Sequence, residues 1–297
     1  MKVIKSALTG YCHGVSETMR KANSCLTLAE KKNLNCYSIG QLIHNTDVST
    51  YYEKRGLKII RKPEDAEPGV ALIRAHGIPQ SLRQDFGKRG FILEDATCVN
   101  IKKTQKIIIE DCKAGRALVL LGVRSHAETL CLQGTEDPSR PGSVIPLNLV
   151  SNEEDLKALF VSVEKSQPVT IVVQTTFEQG LYEKLSSLIM EHYPDCKKGN
   201  GLCGACLKRK KAAEDLCSIC QAVVVIGGFN SENTKDLAKY IQKRGRRVYC
   251  VENGSDIDSD FEEDIRRNGI ETIGVCSGTS TPSEIIDHVC ERLESIN

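Results

Sequence analysis

The stretch AVVVIGGFNSEN, Ala222 to Asn233, decides the fold: five apolar, mostly β-branched residues, a glycine pair, then polar residues opening an amphipathic segment. An apolar run this short, with no polar alternation, reads as a strand buried on both faces, as in parallel sheets covered by helices. The same order recurs in TIGVCSGTSTPSE, Thr272 to Glu284. Working outward, further strands are expected at Val3–Ile4, Cys36–Ile39, Ala71–Arg74, Ala117–Leu121, Thr170–Gln174 and Arg247–Val251, with helical stretches between most of them. Alternation of this kind is the pattern of βα units, so the fold class is α/β. Asp137–Pro146 and Pro194–Gly201 read as loops, the second a possible break between lobes.

Ligands of α/β sheets bind beyond the carboxyl ends of strands, and polar residues gather at those positions here. His44 lies in LIHN, His76 in RAHG, His126 and Glu128 in RSHAE, Gln174 and Thr175 in QTT. In the two opening stretches, Thr281, Pro282 and Glu284 fit an N-cap, a first-turn proline and a capping-box glutamate. Ser280 would then face an anion at that helix start, as would Ser231 and Asn233 at the other. Two such ends suit a phosphate or diphosphate, although each alone is also what any well-capped helix shows. Neither forms a P-loop or a full G-x-G-x-x-G, so nucleotide binding is not indicated.

Length and composition narrow the class. At roughly 150 residues per domain, 297 residues make about two domains, and a single large α/β fold or three small lobes would also fit. Forty Lys and Arg against 39 Asp and Glu leave +1, so nothing in the net charge favours nucleic acid or an anionic membrane. No apolar run approaches a membrane span and Lys2 and Lys5 interrupt any signal-peptide core, which points to a cytoplasmic protein. Fourteen cysteines in such a compartment are mostly free thiols. Three of them, Cys12, Cys98 and Cys203, each follow a turn-like segment and precede an expected helix, at Ser16 onward, Val99–Lys113 and Leu207–Leu216. The positive end of a helix favours the thiolate that metals require. Cys203, Cys206, Cys217 and Cys220 have zinc-like spacing, but the last two read as the end of a helix entering a buried strand, where cysteine serves as a small hydrophobe.

These motifs together resemble the 4-hydroxy-3-methylbut-2-enyl diphosphate reductase (IspH/LytB) family over nearly the whole chain. The resemblance rests on Gly10-Tyr11-Cys12-His13-Gly14-Val15, Leu42-Ile43-His44-Asn45, Arg74-Ala75-His76-Gly77, Asp95-Ala96-Thr97-Cys98, Ser125-His126-Ala127-Glu128, Gln174-Thr175-Thr176, Cys203, Asn230-Ser231-Glu232-Asn233 and Gly278-Thr279-Ser280-Thr281-Pro282. It implies three small α/β lobes in a pseudo-threefold trefoil: 14–98, 99–199, and 1–13 with 200–297 including a C-terminal helix. It also implies a central [4Fe–4S] cluster on Cys12, Cys98 and Cys203, with one iron lacking a cysteine. By the same resemblance His44, His76, His126, Ser231, Asn233 and Ser280 would hold the diphosphate, Glu128 would supply protons and Thr175 would orient the substrate hydroxyl. The implied reaction is a two-electron reductive dehydroxylation giving isopentenyl and dimethylallyl diphosphates, with ferredoxin or flavodoxin as donor.

Several positions depart from the family pattern. Val99 and Ala127 stand where proline is usual, and Cys206 and Lys208 where threonine and asparagine are common. Glu232 replaces a small residue between Ser231 and Asn233. A carboxylate ~5 Å from a phosphate charge would cost roughly 3 kcal/mol at an effective dielectric near 20, about a hundredfold in affinity. Alternatively Glu232 pairs with Lys235 at i+3 and leaves the pocket alone. Two other readings follow: a paralogue with the same cluster and another substrate, and a cysteine-rich metal-binding or redox-sensing protein without turnover.

Overall fold

The computed structural model describes residues 1–296 and contains three four-stranded, fully parallel sheets. The first, in order β1-β12-β10-β11, joins β1 (Lys2–Lys5) to β10 (Ala222–Ile226), β11 (Arg247–Val251) and β12 (Thr272–Ser277). The second, β3-β2-β4-β5, is built from β2 (Cys36–Ile39), β3 (Leu57–Ile60), β4 (Val70–Ile73) and β5 (Ile92–Asp95). The third, β7-β6-β8-β9, contains β6 (Ala117–Leu121), β7 (Asn148–Val150), β8 (Val169–Val173) and β9 (Cys196–Lys198). The helices are α1 (His13–Lys32), α2 (Thr46–Lys54), α3 (Gln80–Lys88), α4 (Val99–Lys113), α5 (Ala127–Gln133), α6 (Glu153–Ser162), α7 (Gln179–His192), α8 (Gly204–Ile219), α9 (Glu232–Gln242), α10 (Ser259–Arg267) and α11 (Ser283–Glu294). Among the described residues no helix is long and apolar enough to cross a membrane.

The central strands explain why their sequences are apolar throughout. In β10, Ala222, Val224 and Ile226 pack with Ile286, Val289 and Leu293 of α11, while Val223 and Val225 pack on the other face with Leu216 of α8 and Leu237 and Ile241 of α9. In the third sheet Val119 and Leu121 meet α6 and α7, and Leu118 and Leu120 meet α4 and α5. Burying both faces removes each side chain from water at about 1.5–3 kcal/mol apiece. Cys217 and Cys220 lie in the α8–β10 core with Ala213 and Cys276, the packing role their sequence context suggests.

Three expectations shift in detail. Pro194–Gly201 is not a plain loop, because Cys196–Lys198 pairs with Val169–Ile171 as edge strand β9. Strands β3, β5 and β7 were also not anticipated. At α11 the cap falls one residue later than expected: Pro282 is the N-cap, and the Thr281 hydroxyl donates to the Ile226 carbonyl oxygen at 3.0 Å instead.

The chain forms two compact units. Met1–Glu17, Gln41–Arg55 and the segment from Gly204 onward make the first; Thr18–Gly40 and Gly56–Cys203 make the second. The connection from β2 to β3, which includes α2, thus belongs to the first unit although both strands lie in the second.

Candidate functional site

In the second unit the expected residues stand at strand ends and helix starts. Cys98 is the N-cap residue of α4, and its N–H donates to the Ala75 carbonyl oxygen at 2.9 Å, fastening it beside the His76 turn. Gly77 holds φ +71 there, and a Cβ on it would fall 2.5 Å from Cys131 Sγ and 3.0 Å from Thr97 Cγ2. Glycine is therefore required for both conformation and space. Asp95 braces the same loop by accepting the Thr97 N–H (2.9 Å) and pairing with Arg83 (2.8 Å) and Lys102 (2.9 Å). Burial alone would raise its carboxyl, but Thr97, Lys102 and Arg83 outweigh that and hold it well below the usual range. The Asp-x-Thr spacing of an Asx turn is the sequence signal for this brace.

The His76 and His126 rings meet edge to face, 5.4 Å apart. His126 caps α5: its Nδ1 accepts the Glu128 N–H at 3.2 Å, so the ring proton resides on Nε2, the donor form an anion needs. Glu128 itself is 1% exposed. Its Oε1 accepts the Thr175 N–H at 2.8 Å and its Oε2 is paired with Thr175 Oγ1 at 2.9 Å. Burial pushes the carboxyl up to about 7 against the lowering effect of Thr175, and nearby Cys203 raises it further. The Thr175 carbonyl oxygen accepts the Cys203 N–H at 2.7 Å, so one residue joins the acid to the cysteine preceding α8. Gln174, 1% exposed, holds the neighbouring loop through the Val123 N–H (2.9 Å) and the Thr129 hydroxyl (3.2 Å).

The first unit gathers Cys12 and the remaining polar groups. The Cys12 N–H donates to the Thr279 carbonyl oxygen at 3.1 Å, placing the start of α1 against the segment that carries Ser280. Ser231 caps α9 by accepting the Thr234 N–H at 3.3 Å. His44 lies against the glycine pair, since a Cβ on Gly228 would overlap its carbonyl oxygen. Asn45 caps α2 through Oδ1 (Val48 N–H, 3.0 Å). Asn45 Nδ2, Asn233 Nδ2 and Thr234 Oγ1 are buried and lack a hydrogen-bond partner. Unsatisfied buried donors are costly, about 1–3 kcal/mol each, and in Asn233 the orphan falls on a residue already expected to hold an anion. Asn45 and Thr234 were not assigned roles from sequence.

The departures from the family pattern become legible. Val99 and Ala127 are the first helical residues after caps Cys98 and His126. Proline is favoured at that position for its fixed φ and dispensable N–H, so its replacement changes no side-chain chemistry. Glu232 is exposed, and its Oε1 meets Lys235 Nζ at 3.1 Å, the expected i+3 pair. Cys206 is buried on α8.

No cysteine forms a disulfide. Burial pushes the thiols of Cys25 and Cys131 up to about 12, as suits inert core residues. Cys12, Cys98 and Cys203 are only partly buried, and each directly precedes or caps a helix of fifteen residues or more. Thiols so placed fit iron–sulfur ligation, which requires thiolates. Among the described residues no three His, Cys, Asp or Glu side chains close around a single ion; a cluster differs in taking each thiolate on a different iron.

The LytB protein family model matches residues 3–294. The chain belongs to the LytB family. It is 32% identical over 304 residues to the 4-hydroxy-3-methylbut-2-enyl diphosphate reductase of Nitratidesulfovibrio vulgaris strain DP4, and 29% identical over 297 residues to that of Alkaliphilus oremlandii, with full coverage of both chains in each case. Two solved structures share its architecture. The reductase described as the terminal enzyme of the non-mevalonate pathway aligns over 100% of both chains with TM-score 0.72 and 26% identity. The reductase from Plasmodium falciparum reaches TM-score 0.84 over 96% of this chain and 86% of its own at 22% identity, a likeness of fold.

Proposed function

We propose that this LytB-family chain is a 4-hydroxy-3-methylbut-2-enyl diphosphate reductase, converting that alcohol to isopentenyl and dimethylallyl diphosphates with release of water. The observation that carries the reading is the buried Glu128–Thr175 pair, with both carboxyl oxygens engaged at 2.8 and 2.9 Å. Loss of an allylic hydroxide needs a positioned acid, and a carboxyl raised to about 7 is protonated in a large fraction of molecules near neutrality. Two protons and two electrons are consumed: one proton leaves with the hydroxide as water and the other ends on carbon. Thr175 Oγ1 orients the hydroxyl and passes protons from Glu128 Oε2. His44, His76, His126 through Nε2, Ser231, Asn233 through Nδ2 and Ser280 hold the diphosphate. Cys12, Cys98 and Cys203 are the thiolates for a [4Fe–4S] cluster, which when bound supplies single electrons and an open iron as Lewis acid. The electron donor is ferredoxin or flavodoxin, and the compartment is the cytoplasm. We take 14–98, 99–199, and 1–13 with 200–297 as lobe limits, because each range holds all four strands of one sheet. The argument for a different substrate lay in Glu232, and its exposed pairing with Lys235 leaves that argument without support.

The test is Mössbauer spectroscopy of anaerobically purified, iron-57-labelled protein with and without the diphosphate substrate. One unique iron that shifts with ligand is expected. A cluster whose unique iron ignores the diphosphate would overturn the substrate, and a protein with no cluster would overturn the cofactor. Cys203→Ala should empty the site and Cys206→Ala should not; the reverse would exchange the third ligand.

A further inference from the structure

Helix α8 carries two buried cations in succession, Arg209 at 6% and Lys210 at 5% exposure. Lys210 Nζ meets Asp236 Oδ2 of α9 at 2.6 Å. Arg209 reaches backbone instead. Its Nη1 donates to the carbonyl oxygens of Leu8 (3.3 Å) and Ser277 (3.1 Å) and to Ser277 Oγ (3.2 Å), and its Nη2 to the carbonyl oxygen of Gly10 (2.5 Å). Ser277 Oγ in turn accepts the Gly10 N–H at 3.1 Å, and the Cys12 N–H donates to the Thr279 carbonyl oxygen at 3.1 Å. One of the two segments tied in this way ends at Cys12 and the other runs on to Ser280. Ser277 closes β12 and is buried, while residues 8–10 lie outside any helix or strand, so the Arg209 fork supplies donors that regular structure does not give that segment. A planar fork with five donors suits several acceptors at once; a lysine ammonium does not offer that geometry.

We infer that Arg209 is a positioning residue, fixing the segment that delivers Cys12 against the segment that delivers Ser280. The inference rests on the proposed function for the meaning of those two residues. It is tested on the anaerobic holoprotein by hydrogen exchange, iron content and the KM for the diphosphate, comparing wild type, Arg209→Lys and Asp111→Asn. Asp111 is the control because it is equally buried and hydrogen-bonded, to Thr170 at 2.9 Å and Lys197 at 2.7 Å, but touches neither segment. In Arg209→Lys the backbone of residues 8–12 and 277–280 should exchange about tenfold faster, as expected for a lost charged hydrogen bond. Iron content should fall and KM should rise about tenfold, while Asp111→Asn lowers the melting temperature without these local effects. Should Arg209→Lys not fold, Ser277→Ala removes only the hydroxyl bridging Arg209 and Gly10, and should speed exchange in the same two segments. Unchanged exchange there, or the same changes in Asp111→Asn, would overturn the inference. Because exchange and iron content need no turnover, a wild-type protein inactive on the diphosphate would sink the proposed function while Arg209 is still judged by those two readouts.

Discussion

In the proposed reaction the Glu128–Thr175 contact divides labour: burial raises the carboxyl and the threonine, hydrogen-bonded to both its oxygens, would give its proton a direction. A carboxyl raised to about 7 is protonated below that pH and ionised above it. As an acid it should give a kcat that falls as pH rises through about 7, and its burial should cost stability over the same rise, from its ordinary 4.5 upward. Glu128→Gln should lose at least about a hundredfold in kcat with iron content unchanged; a variant that still turns over at wild-type rate would remove Glu128 from the acid role. Glu232 makes the opposite prediction. Its ion pair with Lys235 is exposed on both sides, the kind of contact worth little. Glu232→Ser should leave the KM for the diphosphate within about twofold, and a tenfold fall would return the carboxylate to the pocket. The Glu232–Lys235 pair was legible from its i+3 spacing, and Glu128 drew notice as a carboxyl at a strand end. Asn45, Thr234 and Asp95 were not legible, because an Asn, Thr or Asp in a loop is ordinary until its partners, or the lack of them, are seen.

At the level of elements, legibility followed the apolar run in the sequence: edge strand β11 was found on its RVYCV run although only Val251 of it is buried. Strands β2, β6, β10 and β11 fall where the apolar runs put them, while β3, β5, β7 and β9 were missed. All four are edge strands, and each carries polar or exposed positions, such as Lys58 and Ile59 in β3 and Asn148 in β7. An edge pairs on one side only and has no need for an unbroken apolar run. The glycine pair after β10 was legible as a turn, but its tight fit was not, because that depends on His44 from a distant segment. Gly228→Ala should push the His44 carbonyl aside and bring the new methyl close to Glu252 Oε1, which accepts the Phe229 N–H at 3.2 Å. We expect a loss of roughly 1–3 kcal/mol in stability, as for other overpacked sites, and a KM for the diphosphate about tenfold higher. Steady-state kinetics beside a thermal melt separates the two: a melt that drops with KM unmoved would mean that His44 does not hold the substrate.

For the whole molecule, local patterning could not have revealed how the chain is shared out. It passes between the two compact units four times, at Glu17, Gly40, Arg55 and Cys203. The first unit draws Cys12, His44 and the Ser231–Ser280 region from three separate stretches, so only the likeness to a known family assembled that set beforehand. The physical consequence concerns stability. Thiolates bind iron in the folded chain far better than in the unfolded one, so a bound cluster adds to folding free energy by mass action. Anaerobic holoprotein should therefore melt higher than the same protein stripped of iron. In a chain of 297 residues, about 2 kcal/mol of such linkage amounts to roughly 3 °C. The difference should persist in Cys206→Ala and vanish in Cys98→Ala, since only the second removes a proposed ligand. Equal melting of loaded and stripped wild type would show that the iron is not bound preferentially to the folded state, and the assignment of Cys12, Cys98 and Cys203 would fall with it.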